Sequence, residues 1–225
     1  MKKTIIINAI ALAFGLLTPQ FGQAQGIVYL SNLGQPSAGS QTVGSNSWLA
    51  TDFHTGTNAG GYLLNSIQLA LTDGSGNPSG FRVMLYANDG NPSGAFPGSS
   101  LGSLAGSLNP LAGGVYAFTD DPNIMLSAAT YYFIVLAAGT AIGNGAYNWS
   151  TANVGSSSSY NPSGGWINGG PVMYSNNGLS WGSVSGAFPQ YAIDATATPE
   201  PGVLSLFGLG SLGFLWQRRK AKTLC

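Results

Sequence analysis

Apolar and polar residues alternate with a period of two through the middle of the chain, a pattern typical of β-strands with one buried face. Residues 67–72 place Ile67, Leu69 and Leu71 on one face, and residues 81–86 place Phe81, Val83 and Leu85 on one face. Residues 131–136 are apolar at every position, which predicts a strand buried on both faces. Shorter strands are predicted at 27–30, 48–53, 115–118, 146–149, 172–174, 179–181 and 191–194.

Turn sequences separate these predicted strands. Asn-Pro-Ser-Gly occurs at 77–80, 91–94 and 161–164, with proline and glycine at the positions that suit a type I turn. Ser-Gly-Ala-Phe-Pro occurs at 93–97 and 185–189, and the irregular spacing of all these copies favours turn chemistry over a ligand-binding repeat. No apolar stripe of helical period lies outside the two ends of the chain. The sequence therefore predicts one all-β domain at 25–198, an antiparallel, jelly-roll-like β-sandwich.

The first residues predict an export signal. Lys2 and Lys3 precede the apolar run 5–17, and Gly22 and Ala24 occupy the two positions that a signal peptidase reads. We expect residues 1–24 to be a signal peptide, cleaved between Ala24 and Gln25. The alternative is an uncleaved membrane anchor, which the shortness of the apolar run disfavours.

The last residues, 199–225, carry a second export-related pattern. Pro199, Glu200 and Pro201 precede the apolar run 202–216, and a basic tail at 217–225 follows. As a helix the run is about 22 Å long, short for a bilayer core of about 30 Å. We therefore expect a single hydrophobic helix that enters the inner membrane transiently. The basic residues that would keep the end in the cytoplasm are Arg218, Arg219, Lys220 and Lys222.

This tail resembles the PEP-CTERM sorting signal of Gram-negative bacteria, also known as an "ice-binding protein C-terminal" segment, a name that is no evidence of ice binding. The resemblance implies that an exosortase cleaves the tail near the Pro-Glu-Pro triplet. The protein would then reach the cell surface or an extracellular, exopolysaccharide-containing matrix. Residues 48–150 are similar to choice-of-anchor extracellular modules, in particular at 53–67, 81–86 and 129–136. That similarity implies a β-sandwich with no established activity.

The charge distribution argues against two classes of partner. Between residues 25 and 198 the chain has one basic residue, Arg82, and six aspartates, which leaves a formal charge of −5. Such a surface has no electrostatic footprint for nucleic acid and does not favour anionic lipid. The single cysteine, Cys225, lies at the end of the tail, so the predicted domain has no disulfide.

Catalytic signals are weak. Asp52 and His54 would share a strand face, and 98–102 fits the Gly-x-Ser-x-Gly pattern of a nucleophile elbow. That pattern needs a sharp strand-to-helix turn, whereas here it follows Pro97 with no helix signal after it. We therefore expect no catalytic residue, with a hydrolase kept as a weaker alternative.

We expect no cofactor, although two places are weak candidates for structural calcium. Asp73 and Asn77 place side-chain oxygens as an EF-type loop begins, but Pro78 stands where that loop needs glycine. Asp120 and Asp121 form the second candidate. No cluster of cysteine and histidine supports zinc.

Aromatic residues concentrate at 147–181, interleaved with Asn, Ser and Gly. Exposed rings beside amides and hydroxyls suit neutral sugars, because the rings stack on C–H faces while hydroxyls are hydrogen-bonded. The interpretation that we favour is packing and loop filling, with several of these rings capping the ends of the sandwich, and glycan binding is the alternative. The candidate glycan-binding residues are Tyr147, Trp149, Tyr160, Trp166 and Trp181. The sequence as a whole favours a non-enzymatic envelope or matrix protein that meets signal peptidase and exosortase. A module that binds exopolysaccharide is the alternative.

Overall fold

The computed structural model describes residues 26–90, 96–119, 123–153, 164–183 and 186–199. A single 3-10 turn lies at Ile142–Asn144, and the rest of the regular structure in these ranges is β-strand. The strands in chain order are β1 (Ile27–Ser31), β2 (Ser37–Val43), β3 (Trp48–His54), β4 (Tyr62–Gly76), β5 (Arg82–Asn88), β6 (Pro97–Leu104), β7 (Gly114–Thr119), β8 (Met125–Leu126), β9 (Tyr131–Ala137), β10 (Gly145–Ala152), β11 (Ile167–Asn168), β12 (Met173–Ser175), β13 (Gly182–Ser183), β14 (Phe188–Pro189) and β15 (Tyr191–Ala197).

The strands form two antiparallel sheets that pack as a β-sandwich, as the sequence predicts. The first sheet has the order β1-β15-β4-β10-β14, with β2 beside β10 and with β7 and β8 beside β4. The second sheet has the order β13-β12-β3-β9-β5-β6, with β11 beside β3. The last strand, β15, therefore lies inside the first sheet between β1 and β4, and it leads directly to the end of the described chain.

The long strand β4 shows how the predicted alternation builds the core. Ile67, Leu69 and Leu71 are buried on one face, as predicted. Tyr62 and Leu64 are also buried, so the inward set changes parity between residues 64 and 67. The register with β15 shifts at the same place. Ser66 pairs with Asp194, whereas Leu64 pairs with the next residue of β15, Ala195, so Asn65 is the extra residue of β4. A bulge of this kind adds one residue and keeps the apolar side chains facing inward.

The central strand β9 is buried on both faces, as predicted from its continuous apolar run. Its inward side chains join the core between the sheets. Its outward side chains, Phe133, Val135 and Ala137, form a second apolar cluster with Ala50, Met84 and Met173 on the outer face of the second sheet. The half-buried rings of Trp48, Tyr86 and Trp181 pack against this cluster. Side chains of the same sheet and its loops therefore cover β9 on the outside.

Some predicted elements differ from the observed ones. Residues 179–181 lie in the loop between β12 and β13, and no strand forms there. The strands β2 and β6 were not predicted, because their glycine- and serine-rich sequences contain too few apolar residues to show alternation. Asn-Pro-Ser-Gly at 77–80 connects β4 to β5, with Gly80 at a φ of 67°. Within the described ranges, no helix is long and apolar enough to span a membrane.

Candidate functional site

The end of β15 is tied to a turn at residues 58–61, which precedes β4. The turn is closed by a hydrogen bond from the Gly61 N–H to the Asn58 carbonyl, at 2.8 Å. The Thr198 N–H donates to the Gly61 carbonyl at 3.1 Å, and the Thr198 hydroxyl donates to the carbonyls of Gly60 and Gly61. The Asn58 side-chain amide donates to the carbonyls of Thr198, at 3.0 Å, and Gly61, at 2.6 Å. Thr198 is thus bound through its N–H, its carbonyl and its hydroxyl.

Gly60 is the residue that permits this close approach. A Cβ at Gly60 would lie 2.5 Å from the Thr198 carbonyl oxygen and 2.7 Å from its hydroxyl oxygen. Real Cβ atoms do not approach so closely, so any larger residue at this position would displace Thr198. The turn and the end of β15 are therefore fitted to each other.

The beginning of the domain lies beside its end. β1 runs antiparallel to β15, with Ile27 opposite Ala195, so the chain enters and leaves the sandwich on neighbouring strands at the same end. The Asn65 amide donates to the Asp194 carboxylate at 2.7 Å and to the Thr196 hydroxyl at 3.0 Å. A Cβ at Gly26 would clash with that carboxylate and with the Asn65 amide, so the first described residue also packs closely there.

A family profile described as the PEP-CTERM protein-sorting motif matches residues 197–220. The chain carries a PEP-CTERM sorting motif. The resemblance noted from the sequence is therefore confirmed, and the motif marks the protein for export and for processing by an exosortase. The match begins at Ala197, the last residue of β15, so residues 197–199 belong both to the folded sandwich and to the sorting motif. No curated protein matches the chain.

Most of the residues predicted to act in export lie outside the described ranges. Of the sorting triplet, the structure describes Pro199 alone. The remaining residues, which lie outside the described ranges, are Ala24, Gln25, Glu200, Pro201, Arg218, Arg219, Lys220 and Lys222.

Asp52 belongs to a buried polar network that joins β3 to the Gly169–Gly170 loop and to Tyr191 of the first sheet. Its carboxylate accepts the Gly170 N–H at 2.7 Å, and its backbone carbonyl accepts the Tyr191 hydroxyl at 3.0 Å. The same hydroxyl donates to the Asn168 side chain at 2.5 Å. Burial raises the pKa of the Asp52 carboxyl, while the Gly170 hydrogen bond opposes the rise. Burial, reinforced by the charge of Asp52, also raises the pKa of Tyr191.

His54 shares the outward face of β3 with Asp52, as predicted. Its ring meets Tyr131 edge-on at 4.6 Å between centroids, and its Nδ1 is buried without a hydrogen-bond partner among the described residues. The Gly-x-Ser-x-Gly residues at 98–102 lie inside β6, contrary to the expected loop. A nucleophile elbow needs a strand-to-helix turn, and an extended strand does not supply one.

Three of the five aromatic residues considered for glycan binding are buried in the core. Tyr147, Trp149 and Trp166 are at most 1% exposed, so they present no ring face to a sugar. The Trp149 Nε1–H donates to the Gln190 carbonyl at 3.0 Å. Trp166 is stacked against Tyr29 at 5.1 Å between ring centroids. For these residues the glycan-binding alternative is wrong, because inward strand positions and an aromatic cluster enclose them. Tyr160 lies outside the described ranges.

Trp181 instead joins an aromatic surface on the outer face of the second sheet. This outer aromatic patch, as we call it, consists of the half-buried rings of Trp48, Tyr86 and Trp181 above the second apolar cluster. The guanidinium of Arg82, the one basic residue at 26–199, lies 5.9 Å from the centroid of the Trp48 ring. The sequence analysis did not predict this patch, because its three residues come from distant segments of the chain. Each residue taken alone is an ordinary aromatic side chain of a strand or loop.

Of the predicted calcium ligands, the structure describes Asp73 and Asn77, and the Asp73 carboxylate is engaged in another contact. The Asp73 carboxylate accepts the Gly113 N–H at 2.7 Å, which ties β4 to the approach to β7. Asn77 lies in the connection to β5. Asp120 and Asp121 lie outside the described ranges. Among the described residues, no three acidic, histidine or cysteine side chains form a group suited to a metal ion.

Proposed function

We propose that this chain is a non-enzymatic surface protein whose β-sandwich is delivered to the cell envelope or extracellular matrix after its tail is removed. The observation that carries the proposal is the direct continuity of the sorting motif with the last core strand. Because no linker separates the sandwich from the sorting motif, we infer that the sandwich is the part that is delivered. The tail determines where it is delivered. In support, the Asp52 carboxylate is already bound to a backbone N–H, and Ser100, the central serine of the Gly-x-Ser-x-Gly pattern, lies within a strand.

Intact mass tests this proposal. The protein would be recovered from membrane and extracellular fractions of a host that contains an exosortase. We expect a species that begins at Gln25, ends near Pro201 and leaves the inner membrane. The matched control replaces Pro199, Glu200 and Pro201 by alanine and should retain the tail. A wild-type protein that keeps the basic tail in the membrane would contradict the proposal and indicate a permanent anchor.

A second candidate function is binding of neutral exopolysaccharide at the outer aromatic patch. Half-exposed rings offer stacking surfaces for sugar C–H faces, and Arg82 offers hydrogen-bond donors beside them. The scarcity of charge in the domain favours a neutral glycan over an acidic one, because six aspartates would repel the latter.

Titration with purified exopolysaccharide tests the second candidate. We expect saturable binding that weakens at least tenfold in Trp181→Ala and in Tyr86→Ala. Leu179→Ala is the matched control, because Leu179 lies in the same loop as Trp181, is 83% exposed and does not belong to the patch. Binding that all three variants retain would rule out the patch as the site.

A further inference from the structure

Residues 197–199 have two roles that compete with each other. In the folded domain they end β15 and bind the turn at residues 58–61, with Thr198 held by the carbonyls of Gly60 and Gly61 and by the Asn58 amide. In the sorting motif they are the first matched residues, immediately before Glu200 and Pro201. A chain segment that a protease binds must offer its own backbone groups to the enzyme, commonly as an added strand. The hydrogen bonds that hold Thr198 in the sandwich use those same groups.

We propose that the turn at residues 58–61 is a clamp on the sorting motif, and that Asn58 is a positioning residue whose release must precede exosortase processing. The inference rests on the processing function stated above. Proteolysis of a segment that opens locally follows the population of its open state when opening is fast. The clamp therefore sets how often the beginning of the motif is available to the exosortase.

Asn58 offers a clean way to test the clamp because it lies outside the matched motif. Its side-chain amide makes two of the hydrogen bonds, whereas the turn itself is closed by the backbone bond between Gly61 and Asn58. The Asn58 N–H also donates to the Tyr62 hydroxyl at 3.2 Å, a bond that side-chain changes leave in place. Asn58→Ala and the isosteric Asn58→Asp should thus keep the turn and remove the donors. The sequence that the exosortase reads stays the same.

The experiment measures the conversion of full-length precursor to processed protein by pulse–chase in a host that contains an exosortase. Loss of the hydrogen bond from the Asn58 amide to the Thr198 carbonyl is expected to speed conversion by up to about tenfold in Asn58→Ala and in Asn58→Asp. Gly60→Ala should have the same effect, because its Cβ would displace Thr198. In the purified full chain, the Thr198 amide should exchange its hydrogen about tenfold faster in these variants.

Two control variants separate the clamp from general loss of stability. Asn46→Ala removes a side-chain bond to the Ile142 N–H at the opposite end of β3, and Gly143→Ala adds a methyl group where no atom lies within 4 Å. Both should be converted at the wild-type rate. Equal conversion of wild type and the Asn58 variants, or slower conversion of those variants, would overturn the clamp. A wild-type chain that is never converted would instead overturn the processing function on which the clamp depends.

Discussion

Two buried tryptophans provide a direct test of the packing described above. Trp149 is fully buried and Trp166 is 1% exposed, so replacing either by phenylalanine removes the same atoms from a closed environment. They differ in the indole N–H. The Trp149 Nε1–H donates to the Gln190 carbonyl at 3.0 Å, whereas the Trp166 Nε1 is buried with no hydrogen-bond partner among the described residues.

The expected difference follows from that single contrast. Trp149→Phe loses a net hydrogen bond worth about 1 kcal/mol in addition to the cavity cost. Trp166→Phe incurs the cavity cost but removes a buried, unsatisfied donor, whose burial costs about 1–3 kcal/mol. Trp149→Phe should therefore be the more destabilising by about 2–4 kcal/mol. For a domain of this size the gap corresponds to roughly 5–15 °C in Tm.

Equilibrium urea unfolding of the purified variants, followed by far-ultraviolet circular dichroism, measures both free energies of unfolding. Circular dichroism is preferred because each substitution removes a fluorophore. Equal destabilisation, or a larger loss for Trp166→Phe, would refute the reasoning. It would mean that the Trp166 N–H is satisfied, for example by the face of the Tyr62 ring, which is edge-on to it at 4.9 Å between centroids.

Three further predictions concern single contacts. Asp52→Asn should make stability less dependent on pH. The raised pKa of Asp52 makes the wild type lose stability as pH rises above 3.8 and through the folded-state pKa, so the Tm values of the two proteins should diverge as pH rises from about 4. Gly178→Ala should destabilise by about 1–3 kcal/mol in urea unfolding, because its φ is 77° and a Cβ would lie 2.7 Å from Trp48 ring carbons, whereas Gly143→Ala should be neutral. Tyr191→Phe should cost about 1–3 kcal/mol by the same assay, since it removes a buried hydroxyl that donates to the Asp52 carbonyl.

The predicted strands were most accurate where apolar alternation was strong. β4 and β5 were recognised with an inward face because a period of two is a local property of the sequence, and β9 was recognised as buried on both faces from its continuous apolar run. β2 and β6 were not predicted because glycine and serine give no alternation, and only their pairing with β10 and with β5 defines these strands. The strand predicted at residues 179–181 was wrong because these residues lie in a loop, where Leu179 is exposed and Trp181 packs against the sheet as a strand residue would.

The aromatic residues show the limit of local reasoning about a site. Tyr147 and Trp149 lie on β10, where position in the strand was predicted but the side chain's environment was not. Both rings point into the core because the two sheets close over β10. The outer aromatic patch gathers Trp48, Tyr86 and Trp181 from segments more than thirty residues apart in sequence. No window along the chain contains that surface.

The sequence by itself determined the all-β character of the domain and the sorting motif at its end. Strand periodicity and a membrane-directed tail both depend only on residues that are adjacent in the sequence. Tertiary structure alone decided that the motif begins inside the last core strand, and that Asn58 holds Thr198 from 140 residues away. Contacts of that range depend on how the sheets pair, since β15 reaches the turn at residues 58–61 only by lying beside β4.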